Sequence, residues 1–260
     1  MQRKFLVAFV LLFCIHSASA LSSIGTAPGE LELGTIERGE TREVDFYITS
    51  DASESFELQA SYSDPLYSRV FTEGSEIQDE FSRQNLAPWV DIPGNPFLID
   101  PNDTTTRTLD SGASVTSEGT VTIEISVPRD AEPGYRAGSI NFEPVNRDTS
   151  NTFGSSNYGI AKPTFTFRVP GEVERDIDLV EVRGRRIGDE VAQIIAEFQN
   201  KGTVTTLMSG DTIPILNEAN QEVGEVDINQ RKIAPGEIVR EDITWRGENV
   251  RGGEYHLEGS

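Results

Sequence analysis

Apolar residues recur at every second position along much of this chain, and that period constrains the fold more than any other feature. Val44, Phe46 and Ile48 alternate with polar residues, as do Phe56, Leu58, Ala60 and Tyr62. Val121, Ile123, Ile125 and Val127 repeat the pattern, and Phe165, Phe167 and Val169 repeat it again. Successive side chains of a strand point to opposite faces, so each set lays its apolar members on one face of a half-buried antiparallel sheet. Turn-forming clusters separate the runs, at Asp51-Ala52-Ser53, Pro93-Gly94-Asn95-Pro96 and 130–134. Long helical periodicity is absent. The one helical signal is short: Ser75 to Gln78 has capping-box spacing and Ile77 and Phe81 lie four apart, which predicts a helix near 76–84. Short strands at this spacing predict an all-β chain of antiparallel sandwiches.

The start of the chain reads as an address. Arg3 and Lys4 precede an uncharged apolar run from Phe5 to Ile15, and Ala18-Ser19-Ala20 supplies small residues for cleavage. That order predicts a signal peptide over 1–20, the run being too short to span a bilayer. Its removal takes away two basic residues and no acidic one, so the net charge moves from −21 to −23. Cys14 and His16 leave with it, and His256 becomes the single histidine. No later stretch is long enough to cross a membrane, so the expected product is secreted and extracellular, associated with the cell surface. It lacks disulfides, so its stability must come from core size.

Pro170-Gly171 marks the expected domain boundary, with a first Ig-like sandwich over 21–170 and a second, shorter one over 171–260. The second strand series runs Ile177 to Val182, Val191 to Phe198, Ile213 to Leu216, Val223 to Ile228, Ile238 to Trp245 and Tyr255 to Leu257. A weak internal repeat relates the two, Val44 to Tyr62 paralleling Val191 to Ile215. Tyr135 and Tyr255 each follow a glycine-containing turn at the head of a late strand, which makes both tyrosine-corner candidates. Trp89 and Trp245 read as core anchors.

The run Val127-Pro128-Arg129-Asp130-Ala131-Glu132-Pro133-Gly134-Tyr135-Arg136-Ala137-Gly138, together with Gly39 to Tyr62, resembles secreted Ig-like domains of prokaryotic surface proteins. The nearest type is the WxL-interacting proteins, whose first, peptidoglycan-associated sandwich is followed by a second. The likeness covers about residues 28–170 in motif order, and the second domain more loosely. It implies a cell-surface scaffold that docks other surface proteins. A more distant resemblance is to pilus-assembly chaperones, also exported two-sandwich proteins. Phe97-Leu98-Ile99-Asp100-Pro101 falls where these carry a hydrophobic strand leading to proline, and Arg175, Arg183, Arg185 and Arg186 cluster near the boundary where they carry a basic pair.

Composition removes several chemistries. A charge of −21 repels phosphate backbones, which excludes nucleic-acid binding through a basic groove. One cysteine and two histidines leave no material for a Cys/His metal site, and a Ser-His-Asp triad would have to rely on His256. After the leader only Lys162, Lys201 and Lys232 remain as lysines against 17 arginines. Such an acidic, lysine-poor surface resembles proteins of hypersaline habitats, points to an archaeal-like setting, and turns the reading away from a peptidoglycan partner.

Asp100-Pro101-Asn102-Asp103 begins like a calcium loop, but Thr105 stands where glycine is needed and Ser111 where a bidentate Glu is needed, so a polar turn is expected. Asn102-Asp103-Thr104 is a sequon, making Asn102 the glycosylation candidate. The polar segment 143–163 offers Phe153 and Tyr158 as loop-recognition candidates.

Together these features predict an exported, non-enzymatic structural, adhesive or protein-docking module without cofactor or metal. Its partners would be other surface proteins or envelope components, bound through loops or an open sheet edge. A pilus-type chaperone acting by strand complementation is the alternative. Since no counterpart of the strand at 162–169 follows Tyr255, the second domain is also expected to accept a strand from another chain or from residues outside this sequence.

Overall fold

The computed structural model describes residues 23–65, 76–145, 159–208, 212–247 and 255–257. The alternating runs form strands and the strands form stacked sheets, so the chain is an all-β sandwich protein. One five-stranded sheet has the order β11 (Gly159–Ile160), β1 (Ser23–Ala27), β3 (Thr41–Ser50), β9 (Gly119–Ser126) and β5 (Val90–Asp91). The other has the order β2 (Glu30–Thr35), β12 (Thr164–Val169), β10 (Gly134–Pro144), β4 (Phe56–Ser63) and β6 (Phe97–Ile99). A hairpin of β7 (Thr105–Thr108) and β8 (Ser114–Ser117) lies outside both.

The period-two residues face inward as the pattern requires. Phe46, Ile48, Leu58, Val121, Ile123, Ile125, Phe142 and Phe165 are fully enclosed. Each such side chain contributes about 1.5–3 kcal/mol through removal from water. Phe46 meets Phe142 edge-on at 6.4 Å, and Trp89 packs on Phe167 at 6.5 Å as a core anchor.

Two pairings depart from the antiparallel expectation. The chain switches sheets between β1 and β2, and each half pairs in parallel with a late strand, β1 with β11 and β2 with β12. Parallel neighbours need a long connection, and the residues between supply it.

A second apolar cluster holds Ala192, Ile194, Ala196, Ile215, Val226, Ile233, Val239 and Trp245. It lies on a three-stranded sheet of β13 (Ile177–Arg186), β14 (Val191–Asn200) and β19 (Ile238–Arg246). Two smaller sheets complete it: β17 (Glu222–Asp227), β16 (Thr212–Asn217) and β20 (Tyr255–Leu257), and β15 (Thr206–Met208) with β18 (Arg231–Ile233). The order β13-β14-β19 repeats β1-β3-β9, and this is the structural counterpart of the sequence repeat.

The predicted helix is shorter than its pattern. Within 76–84 only α1 (Glu76–Asp79) is helical, and a single 3-10 turn follows at Ala87–Trp89. The Glu80 carbonyl accepts from the Tyr135 N–H at 2.9 Å, and the Ser82 N–H donates to the Tyr135 carbonyl at 3.1 Å. Backbone bonds to β10 therefore outcompete another helical turn. Gly134 makes the approach feasible: its φ is +98°, and a Cβ there would lie 2.2 Å from the Glu80 carbonyl oxygen.

Candidate functional site

The turn before β10 packs against the loop after β14, and that contact is polar. Glu132 is almost enclosed, and its Oε2 accepts from Ser82 Oγ at 2.6 Å and from the Thr205 N–H at 2.7 Å. Its Oε1 accepts from Thr205 Oγ1 at 2.6 Å. A carboxylate this deep requires such donors, because an unpaired one would carry a large desolvation cost.

Arg136, 1% exposed, stands behind it and donates Nη2 to the Glu132 carbonyl at 2.7 Å and to Gln84 Oε1 at 3.2 Å. Its guanidinium lies 5.4 Å above the Trp89 ring. Burial pulls the Arg136 pKa down to about 10, with Glu132 opposing the fall and Arg38 adding to it. It therefore remains a cation at neutral pH. Arg175 donates to the carbonyls of Asp79 and Phe81, and Thr203 Oγ1 donates to the Glu172 carbonyl at 2.8 Å. Apart from Arg136 Nε, which is buried with no hydrogen-bond partner, the donors and carboxylates named here are spent on the protein itself, and the cluster joins the two cores.

β13 is built differently. It is ten residues long, and among the described residues its only sheet neighbour is β14. Its far edge therefore presents backbone N–H and C=O groups without a ladder partner. Beyond Ile177, which packs on the second core, its apolar side chains are also bare: Leu179 is 44% exposed, Val180 51% and Val182 43%. The register explains why. Val182 stands opposite the enclosed Ala196 and so faces the core side, yet it is not part of the apolar cluster. At Gly184, opposite Ile194, a Cβ would meet nothing within 4 Å. Among the described residues, the covering layer reaches Ile177 at the head of the strand and stops short of the rest.

The other face of β13 carries charge. Asp178, Glu181, Arg183 and Arg185 stand opposite Gln199, Glu197, Ile195 and Gln193, residues that alternate with the core positions of β14. Going along the strand, that face reads acid, acid, base, base. Asp178 pairs with Lys201, Glu181 with Arg183, and Arg185 donates to Gln193 at 2.9 Å.

A groove of about 470 Å³ opens between β2, the outer residues of β3 and the tip of the β7–β8 hairpin. Glu30, Glu32, Glu43, Asp45 and Asp110 line it together with Tyr47. Among the described residues, no group of three His, Cys, Asp or Glu side chains could hold a metal ion.

The candidates named from sequence are scattered. Asn102 is exposed in the turn between β6 and β7, where its N–H and Nδ2 donate to Asp100 Oδ1 at 3.0 and 3.1 Å. Those bonds hold the Asp100 carboxyl below its usual range and make the stretch a polar turn. Tyr135 lies under the Arg168 guanidinium at 5.9 Å, outside the first apolar cluster, whereas Tyr255 meets Trp245 edge-on at 5.2 Å and packs against the second. Phe153 and Tyr158 lie outside the described residues.

The four arginines do not form one cluster. Arg175 is committed to the joint, whereas Arg183, Arg185 and Arg186 project from β13. Sequence reasoning placed the open edge at the chain's last strand and missed β13, although the bare apolar run Leu179-Val180 beside alternating arginines was its signal. The β20 edge is three residues long.

No family model matches the chain, and no curated protein matches it. Solved structures resemble it at low identity. A protein of unknown function from Porphyromonas gingivalis W83 is 10% identical, with 86% of this chain and 83% of that one covered and a TM-score of 0.34. The Escherichia coli chaperone DraB is 12% identical, with 90% and 89% covered and a TM-score of 0.29. A chain of the Salmonella enterica SafA pilin in complex with the SafB chaperone is 10% identical, with 91% of this chain and 98% of that one covered and a TM-score of 0.31. Similarity at this level carries no functional conclusion. Among the described residues no helix is long and apolar enough to cross a membrane.

Proposed function

We propose that this chain is an exported, non-enzymatic docking module of two tandem Ig-like domains divided at Pro170–Gly171, and that β13 is its binding edge. One observation carries the reading: among the described residues, a ten-residue strand has an open ladder on one side and half-bare Leu179, Val180 and Val182 along it. Sheet proteins blunt long apolar edges unless something pairs with them. An extended strand from another surface protein would gain main-chain hydrogen bonds from that edge and apolar contact with Val182. Glu132, Ser82 and Thr205 would hold the two domains in a fixed relation, so the edge is presented rigidly. The WxL-interacting likeness supports a surface role of this kind.

A chaperone reading has one observation in its favour. β6 is an edge strand of its sheet, and Leu98 on it is 71% exposed. On that reading a subunit would be held at β6 and released on assembly.

Val182→Asp tests the first reading. The residue is exposed, so the fold should persist by circular dichroism, while the charge opposes strand addition. Partners recovered from envelope preparations with the wild-type chain should be lost with this variant and retained by Leu98→Asp. Recovery unchanged by Val182→Asp would overturn the β13 reading, and loss with Leu98→Asp alone would favour the chaperone.

A further inference from the structure

We infer that β13 pairs with β13 of a second copy of this chain, antiparallel across a two-fold axis at Val182. The inference rests on the β13 edge being a strand-docking site and names its occupant.

The charge pattern selects the partner. The outer face reads Asp178, Glu181, Arg183, Arg185, with both acids on the N-terminal side of Val182 and both bases on the C-terminal side. Turning such a strand through a two-fold about Val182 lays it over itself with opposite charges facing. Glu181 then stands opposite Arg183 of the second copy. The irregularity between Leu179 and Glu181 takes up one residue, so Asp178 stands opposite Arg185. Four opposite-charge pairs form in the dimer, and no like pair stands directly opposed. A parallel pairing in register would instead put Asp178 on Asp178 and Arg183 on Arg183, which is destabilising.

The apolar face fits the same register. Val182 meets Val182 on the axis, and Leu179 comes beside Gly184, where no atom lies within 4 Å of a built Cβ. The exposed side chains of one copy thus enter the space left open by the other. The internal pairs Asp178–Lys201 and Glu181–Arg183 are exposed and exchange at small cost.

This chain carries a net charge of −21, so two copies repel at long range, and a contact with local complementarity is what association requires. A single edge pairing buries less than the about 1,000 Å² of a durable interface, so the dimer should depend on concentration.

Charge exchange tests the pairing by sedimentation velocity. Arg183→Glu/Arg185→Glu and Asp178→Arg/Glu181→Arg each put like charges opposite one another, and each should raise the dimer dissociation constant by about tenfold or more. Mixed in equal amounts, the two variants should restore the dimer. In a Cys14→Ser background, Val182→Cys should form an intermolecular disulfide, because opposed residues of an antiparallel pair sit about 4.5–5.5 Å apart at Cα. A mixture that stays monomeric, or variants that dimerise as the wild type does, would overturn the inference. A wild-type chain that is monomeric throughout, yet still loses envelope partners on Val182→Asp, would overturn self-pairing and leave the docking edge intact.

Discussion

The two halves of this molecule use one strand order and treat its edge in opposite ways. In the first, β1 begins the series β1-β3-β9, is five residues long, and is flanked by β11, which pairs at Ser23 and Ile24. In the second, β13 begins the series β13-β14-β19, is twice as long, and among the described residues has no strand beyond it. The cores differ in the same direction. Phe46, Ile48, Val121 and Ile123 are fully enclosed, as are Ile215 and Ile233 of the second core, whereas Ile194 and Ile243, on the sheet that β13 borders, are each 7% exposed. On the proposed reading, the first half supplies stability and the second supplies the contact edge.

Core truncation measures that contrast most strongly. Ile48→Ala should cost about 3–5 kcal/mol in denaturant unfolding, and Ile194→Ala about 2–3 kcal/mol, because a site near an open face relaxes more readily. Equal or reversed costs would remove the asymmetry.

The joint comes next. Glu132→Ala strands the Thr205 N–H and two hydroxyls, and should cost about 1–3 kcal/mol. It should also separate one unfolding transition into two. A single unshifted transition would mean that the halves are not coupled through Glu132.

On the edges themselves, Val182→Asp should change stability by no more than about 0.5 kcal/mol, since the residue is half exposed. Ile48→Asp, on the enclosed strand β3, should prevent folding of the first core. A Val182→Asp chain that unfolds would show that the β13 face is covered after all.

The smallest effect concerns acid. The Glu37 N–H first and Arg42 second hold the Glu40 carboxyl below its ordinary 4.5. A lowered carboxyl contributes stability that is complete above the unfolded value and is lost as pH falls through the folded one. Glu40→Gln should therefore flatten the stability slope below about pH 4.5, its small cost showing at neutral pH and vanishing in acid. An unaltered acid slope would contradict this.

Much of the fold was legible because burial on one face writes itself as period two. β3, β4, β9 and β12 follow their sequence runs closely, and so do β14, β16, β17 and β19 of the second core. The parallel pairs were not legible, since partner choice for β11 and β2 depends on where the chain returns and not on local pattern. The helix was overcalled because the backbone bonds to Tyr135 that end it join residues more than fifty positions apart. Glu132 carried no local signal at all: its donors Ser82 and Thr205 come from distant parts of the chain. β13 was half legible. Its strand was expected, but its openness follows from how far the opposing layer reaches, which no window of sequence contains.

Residue-resolved amide hydrogen exchange on the monomeric chain, at low concentration, tests the open edge most directly. Along Ile177–Arg186, amides bonded to β14 should be protected while those on the far edge exchange rapidly, giving an alternating profile, whereas β14, paired on both sides along its length, should be protected throughout. Uniform protection along β13 in the monomer would mean that its edge is already occupied within the chain, and the docking edge would not exist.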